Sequence, residues 1–272
     1  MRTLVITGAG VSAESGIPTF RGRDGYWRNL DAAKLATPEA FANDPKLVWE
    51  WYRERRERIR NAQPNPAHVA IVKLAAHVDE FLLVTQNVDD LHLRAESEGQ
   101  RLPREKIVQV HGDIFETRCS RCKFAFSAGS PEPLPGFPVI DFNNRRLRAG
   151  MARSIAPTLA CHSESGSLLP QCPECGELMR PGVVWFGEQL DPRKIDRVEN
   201  YLARASCDVV IVAGTTAAFG YIIDWALRAR DQDGQLIEVN PDPTPLSGFA
   251  THLIREPAGR ALPRLVDELL AT

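Results

Sequence analysis

Among the residues able to do chemistry, the cysteines are the most regularly spaced. Four of the six form two hooks, Cys119-x-x-Cys122 and Cys172-x-x-Cys175, and Cys161 and Cys207 stand alone. Two such hooks supply the four thiolates of a tetrahedral structural zinc, and a metal saturated by thiolate has no open position for water. The expectation is therefore one zinc that holds structure and performs no catalysis. The 49 residues between Cys122 and Cys172 exceed the about 15–20 of an ordinary ribbon, so the ribbon is an expanded one. Cys161-His162 belongs to neither hook and is read as a bystander.

Three further groups invite a chemical reading. Gly8-Ala9-Gly10-Val11-Ser12-Ala13 follows the apolar run Thr3–Thr7 and fits the G-x-G-x-x-G/A pattern, in which glycines admit a pyrophosphate close to the backbone. A glycine-rich turn without ligand fits equally well. His111 follows Val108-Gln109-Val110 and precedes Gly112, and an imidazole titrates near neutrality as a general base should. On spacing alone a packed histidine is the more common outcome. His68, His77, His92, His162 and His252 have no such context. Tyr52-x-x-Arg55 puts a hydroxyl and a guanidinium on one face of a helix, a pairing suited to a carboxylate. The surrounding run Arg53-Glu54-Arg55-Arg56-Glu57-Arg58 by itself favours a solvated face instead.

These groups need elements to hold them. Short β-branched or apolar runs at 3–7, 81–84, 209–213 and 236–239 have the character of buried parallel strands, each ending where small or polar residues begin. Their ends carry Gly8-Ala9-Gly10, Thr85-Gln86-Asn87, Gly214-Thr215-Thr216 and Asn240. Ligands of open α/β sheets bind beyond such ends, so one crevice is expected to collect all four. No second strand ends in an acidic residue about 20 positions on, as an ordinary dinucleotide fold has; Pro18–Gly25 reads as a loop able to close over a nucleotide. A charged helix is predicted over 45–60, standing off the sheet, and a closing amphipathic helix over 262–270. Residues 129–170, rich in Pro, Gly and Ser, read as an irregular insertion. A net charge of -2 gives no polybasic surface for nucleic acid or membrane, and no apolar run approaches the about 20 residues that span a bilayer. With no signal-peptide core at the N-terminus, a cytoplasmic protein is expected.

Taken in order, Gly8–Arg21, Thr85–His92, His111-Gly112, the two hooks, Val183-Val184-Trp185-Phe186-Gly187-Glu188, Gly214-Thr215-Thr216 and Asn240 resemble the sirtuin family across nearly the whole chain. The resemblance implies an α/β fold: a Rossmann-like parallel sheet domain from residues 1–30, 81–117 and 183–272, a helical module at 31–80, and a zinc-ribbon module at 118–182. It implies that NAD is consumed as a co-substrate. The acyl carbonyl oxygen of an acyl-lysine attacks the nicotinamide ribose as nicotinamide leaves, and His111 is base for a ribose hydroxyl on the way to lysine and O-acyl-ADP-ribose. Asn87 and Asp89 join His111 as catalytic residues.

Cofactor contacts are implied for Gly8, Ala9, Gly10, Ala13, Glu14, Thr19, Phe20, Arg21, Gln86, Asn87, Asp89, His111, Gly214, Thr215, Thr216, Asn240 and the backbone at Ala258. Most relatives have serine where this chain has Thr216, which keeps the hydroxyl. Val183, Val184, Phe186, Gly187 and Glu188 match the peptide-binding strand, with acyl-lysine proteins or peptides as partners. Tyr52 and Arg55, with the small Ala36, resemble the branch that removes succinyl, malonyl or glutaryl groups. A plain deacetylase or ADP-ribosyltransferase, and a non-catalytic ADP-ribose-binding module, remain the alternatives.

Overall fold

The computed structural model describes residues 1–19, 26–27, 30–127 and 169–271. A six-stranded sheet forms its centre, ordered β13-β12-β11-β1-β4-β7 with every neighbouring pair parallel. The strands are β1 (Arg2–Thr7), β4 (Glu80–Thr85), β7 (Ile107–Gln109), β11 (Cys207–Ala213), β12 (Arg230–Val239) and β13 (His252–Ile254). All six residues of β1 are buried, as a central strand covered on both faces must be.

Alternation along the strand divides the core. Val5, Leu83 and Ile211 face α5 (Pro66–His77) and α9 (Ala258–Ala271), whereas Leu4, Ile6, Val84 and Val210 face α7 (Pro192–Leu202) and α8 (Gly220–Ala229). At roughly 1.5–3 kcal/mol for each fully buried aliphatic side chain, these two layers dominate the stability of the fold. From β1 the chain winds outward to β4 and β7, and from β11 in the opposite direction to β12 and β13. The winding therefore reverses between β1 and β11, at the ends of which stand the two glycine motifs.

A smaller unit packs beside the sheet. Its antiparallel strands are β8 (Gly112–Cys119), β9 (Ala125–Ser127) and β10 (Met179–Val183), in the order β10-β8-β9. Against them lie α2 (Ala32–Leu35), α3 (Pro38–Asn43) and α4 (Pro45–Asn61), joined through a core containing Tyr52, Ile114, Val183 and Trp185. The remaining elements are small: α1 (Gly10–Ala13), α6 (Leu91–Arg94) and the two-residue strands β2 (Tyr26–Trp27), β3 (Leu30–Asp31), β5 (Glu96–Ser97) and β6 (Gln100–Arg101).

Four helices open with the same two-residue signal, a capping side chain followed by proline: Thr37-Pro38, Asp44-Pro45, Asn65-Pro66 and Asp191-Pro192. The side chain satisfies a free N–H of the first turn, and proline has no N–H to leave unsatisfied. Arg56 locks α4 to the small sheet, donating to the carbonyls of Ile114 and Glu116 and to the Thr117 hydroxyl.

Two boundaries differ from the sequence expectation. Helix α5, counted with the helical module at 31–80, packs on the main sheet against α9, because Ile71, Val72, Leu74 and the adjoining alanines make it apolar on most sides. Residues 112–117, expected in the main domain, pair with β10 in the small sheet. Among the described residues, no helix is long and apolar enough to cross a membrane. The predicted insertion at 129–170 lies almost wholly outside the described residues.

Candidate active site

The two glycine motifs meet at the reversal point. Gly10 N donates to the Gly214 carbonyl at 2.8 Å. A Cβ on Gly8 would stand 2.7 Å from Thr215 Cβ, one on Gly10 2.8 Å from Gly214 Cα, and one on Gly214 (φ +59°) 2.4 Å from Val11 N. Crossing at this separation leaves no room for side chains, which accounts for glycine at all three places. The other strand ends are tied to the same spot: Gln86 Nε2 donates to Thr215 Oγ1 (2.8 Å) and Asn240 Nδ2 to the Thr215 carbonyl (2.6 Å). The four strand ends thus converge as expected. Helix α1 after the first motif is a single turn, shorter than the dinucleotide pattern suggests; Ala9 is partly buried and Ala13, Glu14 and Thr216 are exposed. Glu14 reaches across to accept from Gly259 N in the first turn of α9, beside Ala258. Thr19 is partly buried; Phe20 and Arg21 lie outside the described residues.

Beneath the crossing is a buried polar network. Ser12 Oγ donates to Asp89 Oδ2 (3.0 Å) and accepts from Asn87 Nδ2 (3.0 Å). His68 accepts the Asn65 N–H at Nδ1, so its remaining proton sits on Nε2, 3.4 Å from the same hydroxyl. Thr7 joins Thr85 and His92 Nε2 on the far side. Burial lowers the His68 pKa to about 4 and holds His92 far down, so both are neutral. Burial also raises the Asp89 carboxyl to about 6, against the Leu91 N–H and Ser12 hydroxyl that favour its charge. Ser12, His68 and His92 escaped the sequence reading; the signal available for Ser12 was its place inside the glycine motif.

His111 occupies the turn from β7 to β8. Its Nδ1–H donates to the Gln86 carbonyl (2.9 Å), which leaves Nε2 as the basic nitrogen, and that atom accepts the Tyr221 hydroxyl at 2.7 Å. Burial lowers its pKa, the Gln86 carbonyl works against the shift, and the Lys194 cation adds to it. The His111 carbonyl accepts Val184 N at 2.8 Å, so the expected peptide strand begins beside the base. Gly112 follows at φ +91°, where a Cβ would stand 2.2 Å from the Gly182 carbonyl. Glycine after the histidine is thus a condition of bringing β10 this close.

On the small-unit side, Phe186 is exposed and its N–H donates to the Ala36 carbonyl (2.9 Å). Trp185 Nε1 donates to the Tyr52 hydroxyl (2.9 Å) in the buried core. Gly187 (φ +86°) turns the chain so that the Glu188 carboxylate points back to accept from Trp185 N, Arg180 and Arg118. Glu188 therefore braces the 183–188 segment from behind; only Val183 of the expected strand belongs to one, β10, and the rest is a loop with a turn at Phe186-Gly187. The charged run of α4 is split by its helical period: Arg53, Glu57 and Arg58 are exposed, Arg56 is buried and Arg55 is partly buried. The Arg55 guanidinium lies 4.8 Å from the Trp51 ring centroid and 5.6 Å from that of Tyr52. Burial lowers its pKa, while Tyr52 and Asp89 oppose the shift. A wholly solvated face is not what α4 presents.

Cys119, Cys122, Cys172 and Cys175 bring their sulfurs within 4.8 Å of one another, the nearest pairs at 3.4 and 3.5 Å. Tetrahedral Zn–S bonds of about 2.3 Å separate sulfurs by about 3.8 Å, so the four fit a structural zinc. Cys161 and His162 lie outside the described residues.

A doubly wound sheet with a crevice at its winding reversal, a half-buried imidazole at that crevice and a four-thiol unit beside it define a nucleotide-binding α/β protein of two parts. Residues 8–219 match the model of the Sir2 family, and the chain belongs to that family, the sirtuins. It is 41% identical over 263 residues to "NAD-dependent protein deacylase 1" of Archaeoglobus fulgidus, covering 97% of this chain and 91% of that protein. To the NAD-dependent protein deacylase of Pyrococcus furiosus it is 38% identical, with 98% and 92% covered. Among solved structures, a Sir2 homolog–NAD complex superposes with a TM-score of 0.75 at 39% identity (99% and 90% covered), and a Sir2–p53 peptide–NAD complex with 0.71 at 25% (100% and 94%).

Proposed function

We propose that this chain is an NAD-dependent protein-lysine deacylase that transfers the acyl group to ADP-ribose, releases nicotinamide, and prefers acyl groups ending in a carboxylate. The observation that carries the deacylase reading is the state of His111. With Nδ1–H fixed on the Gln86 carbonyl, Nε2 is the basic atom, and the protein keeps it neutral by burial. Such a nitrogen removes a proton from a sugar hydroxyl and hands none back prematurely.

The remaining residues supply position. Gly8, Gly10, Gly214 and Thr215 shape the crevice for the pyrophosphate side of NAD, with Asn240 on its wall. Gln86, Asn87 and Asp89 offer an amide donor, a second amide and a buried carboxylate to the ribose and nicotinamide. NAD supplies the glycosidic carbon at which the acyl oxygen forms its bond. The strand from Val183 pairs with the peptide backbone, and Val183 and Trp185 belong to the apolar wall that keeps water from the acyl-lysine. Two named relatives act as NAD-dependent protein deacylases, and the solved p53-peptide complex supports a protein substrate for this chain too. Preference for succinyl, malonyl or glutaryl groups is supported by the Arg55 guanidinium lying 5.6 Å from the ring of Tyr52, whose core also includes Val183 and Ala36.

Nicotinamide release from NAD is measured with matched acetyl-lysine and succinyl-lysine peptides. The expected result is peptide-dependent release with faster succinyl turnover, and no deacylated product from His111→Ala. Product formation by His111→Ala at the wild-type rate refutes the assigned base. Absence of release with every peptide refutes the deacylase reading itself.

A further inference from the structure

His111 Nε2 has one lone pair, and in this structure the Tyr221 hydroxyl holds it at 2.7 Å. Any hydroxyl that is to surrender a proton to His111 must displace the phenol or pass the proton through it. The surroundings of Tyr221 decide between these. Its ring lies between two aromatic neighbours, stacked on Phe219 at 5.6 Å and 14° and packed on Trp225 at 4.9 Å. Trp225 is itself buried and anchored through Nε1 to Glu199 (2.8 Å), and Phe219 also meets the edge of His111. The backbone of Tyr221 belongs to the first turn of α8. A ring clamped in this way is built to stay.

We infer that Tyr221 is a further catalytic residue, a proton carrier set in series between the sugar hydroxyl and His111. The inference rests on the deacylase reading above. In the step, the sugar O–H gives its proton to the phenol oxygen as the phenol gives its own to Nε2. The sugar oxygen keeps the electron pair with which it forms its new bond. The phenol ends as it began, and the imidazolium is held by the Gln86 carbonyl at Nδ1. Burial raises the phenol pKa above its ordinary value, so it stays protonated throughout the working range and is ready both to donate and to accept.

Tyr221→Phe keeps the ring between Phe219 and Trp225 and removes only the hydroxyl. Cleavage of nicotinamide by the acyl oxygen needs no base, so exchange of labelled nicotinamide into NAD in the presence of acyl peptide reports on that step separately from product formation. The expected result is a kcat for deacylated product lower by about a hundredfold, at the low end of what a positioned proton-transfer group contributes, with exchange falling far less. A kcat within about twofold of wild type, or a rise in kcat/KM for NAD, overturns the inference and makes the phenol a passive or displaced neighbour. A second measurement needs no variant. In mixtures of H₂O and D₂O the wild-type rate is expected to follow a curved dependence on deuterium fraction, as two protons in flight require, and a linear dependence overturns the relay. Wild-type enzyme that releases no nicotinamide with any acyl peptide refutes the deacylase reading instead, which keeps the two failures apart.

Discussion

Arg55→Met is the substitution that isolates the acyl preference. Methionine retains an unbranched apolar stem against Trp51 and Tyr52, so packing on those rings changes little while the guanidinium disappears. A hydrogen bond to a charged partner contributes about 1.5–3 kcal/mol, and the partial exposure of Arg55 argues for that range and not for the larger values of a fully enclosed pair. At about 1.4 kcal/mol per tenfold, kcat/KM for a succinyl-lysine peptide is expected to fall by about ten- to hundredfold. An acetyl group has no carboxylate to lose, so acetyl-lysine turnover stays within about twofold of wild type. Arg55→Lys keeps the charge and loses the planar fork, and falls between. Steady-state kinetics on the matched peptides checks all three. If the succinyl-to-acetyl ratio moves by less than about threefold in Arg55→Met, the guanidinium does not read the acyl terminus, and the enzyme is a general deacylase.

Other consequences are open to measurement. His111 must be neutral to act, and burial lowers its pKa from the ordinary value near 6.5; the acid limb of kcat/KM against pH should inflect below 6.5, and an inflection at 7 or above contradicts the assignment. Asp89 has the opposite sign: its folded-state pKa, raised to about 6, contributes stability below pH 4 that is lost as pH rises through 6. Asp89→Asn is therefore expected to stabilise the fold by about 2–3 kcal/mol at pH 7.5 and by almost nothing at pH 4, while activity falls. Thermal unfolding at the two pH values checks it, and an equal shift at both rejects the buried-charge account. Cys175→Ser removes one of four thiolate donors; zinc content by elemental analysis should drop well below one per chain, with a lower unfolding temperature. Retention of a full equivalent of zinc would mean the four sulfurs are not the ligands.

The sequence made β1, β4, β11 and the end of β12 legible because those stretches are enclosed on both faces and so are short apolar or β-branched runs. Strand β13 was invisible for the converse reason: three residues at an edge, His252 and Leu253 exposed, carry no pattern. Helix α5 fell inside the expected helical module, but its near-uniform apolarity says only that it is buried and not against which unit. The glycine positions were legible too, although part of their reason is the crossing of two loops, which no single motif reveals. Tyr221 could not be found by motif because its partner lies 110 residues away. The aromatic pair Phe219 and Tyr221, soon after Gly214-Thr215-Thr216, is the only trace it leaves in the sequence. Arg56 was hidden in a run of charges whose average is solvent-facing, and only the helical phase separates it from Arg53.

The four sulfurs converge on one point, although 49 residues separate Cys122 from Cys172. The chain therefore leaves the cluster at Cys122 and returns to it at Cys172, and a metal there would hold these two points together. The entropy of closing such a loop grows only logarithmically, by about 0.6 kcal/mol for each doubling of its length. A change of length between the hooks therefore costs little, provided β9 (Ala125–Ser127), which pairs with β8, is left intact. A metal clasp at the four sulfurs would thus uncouple the chain length between the hooks from the distance at which His111 meets Val184.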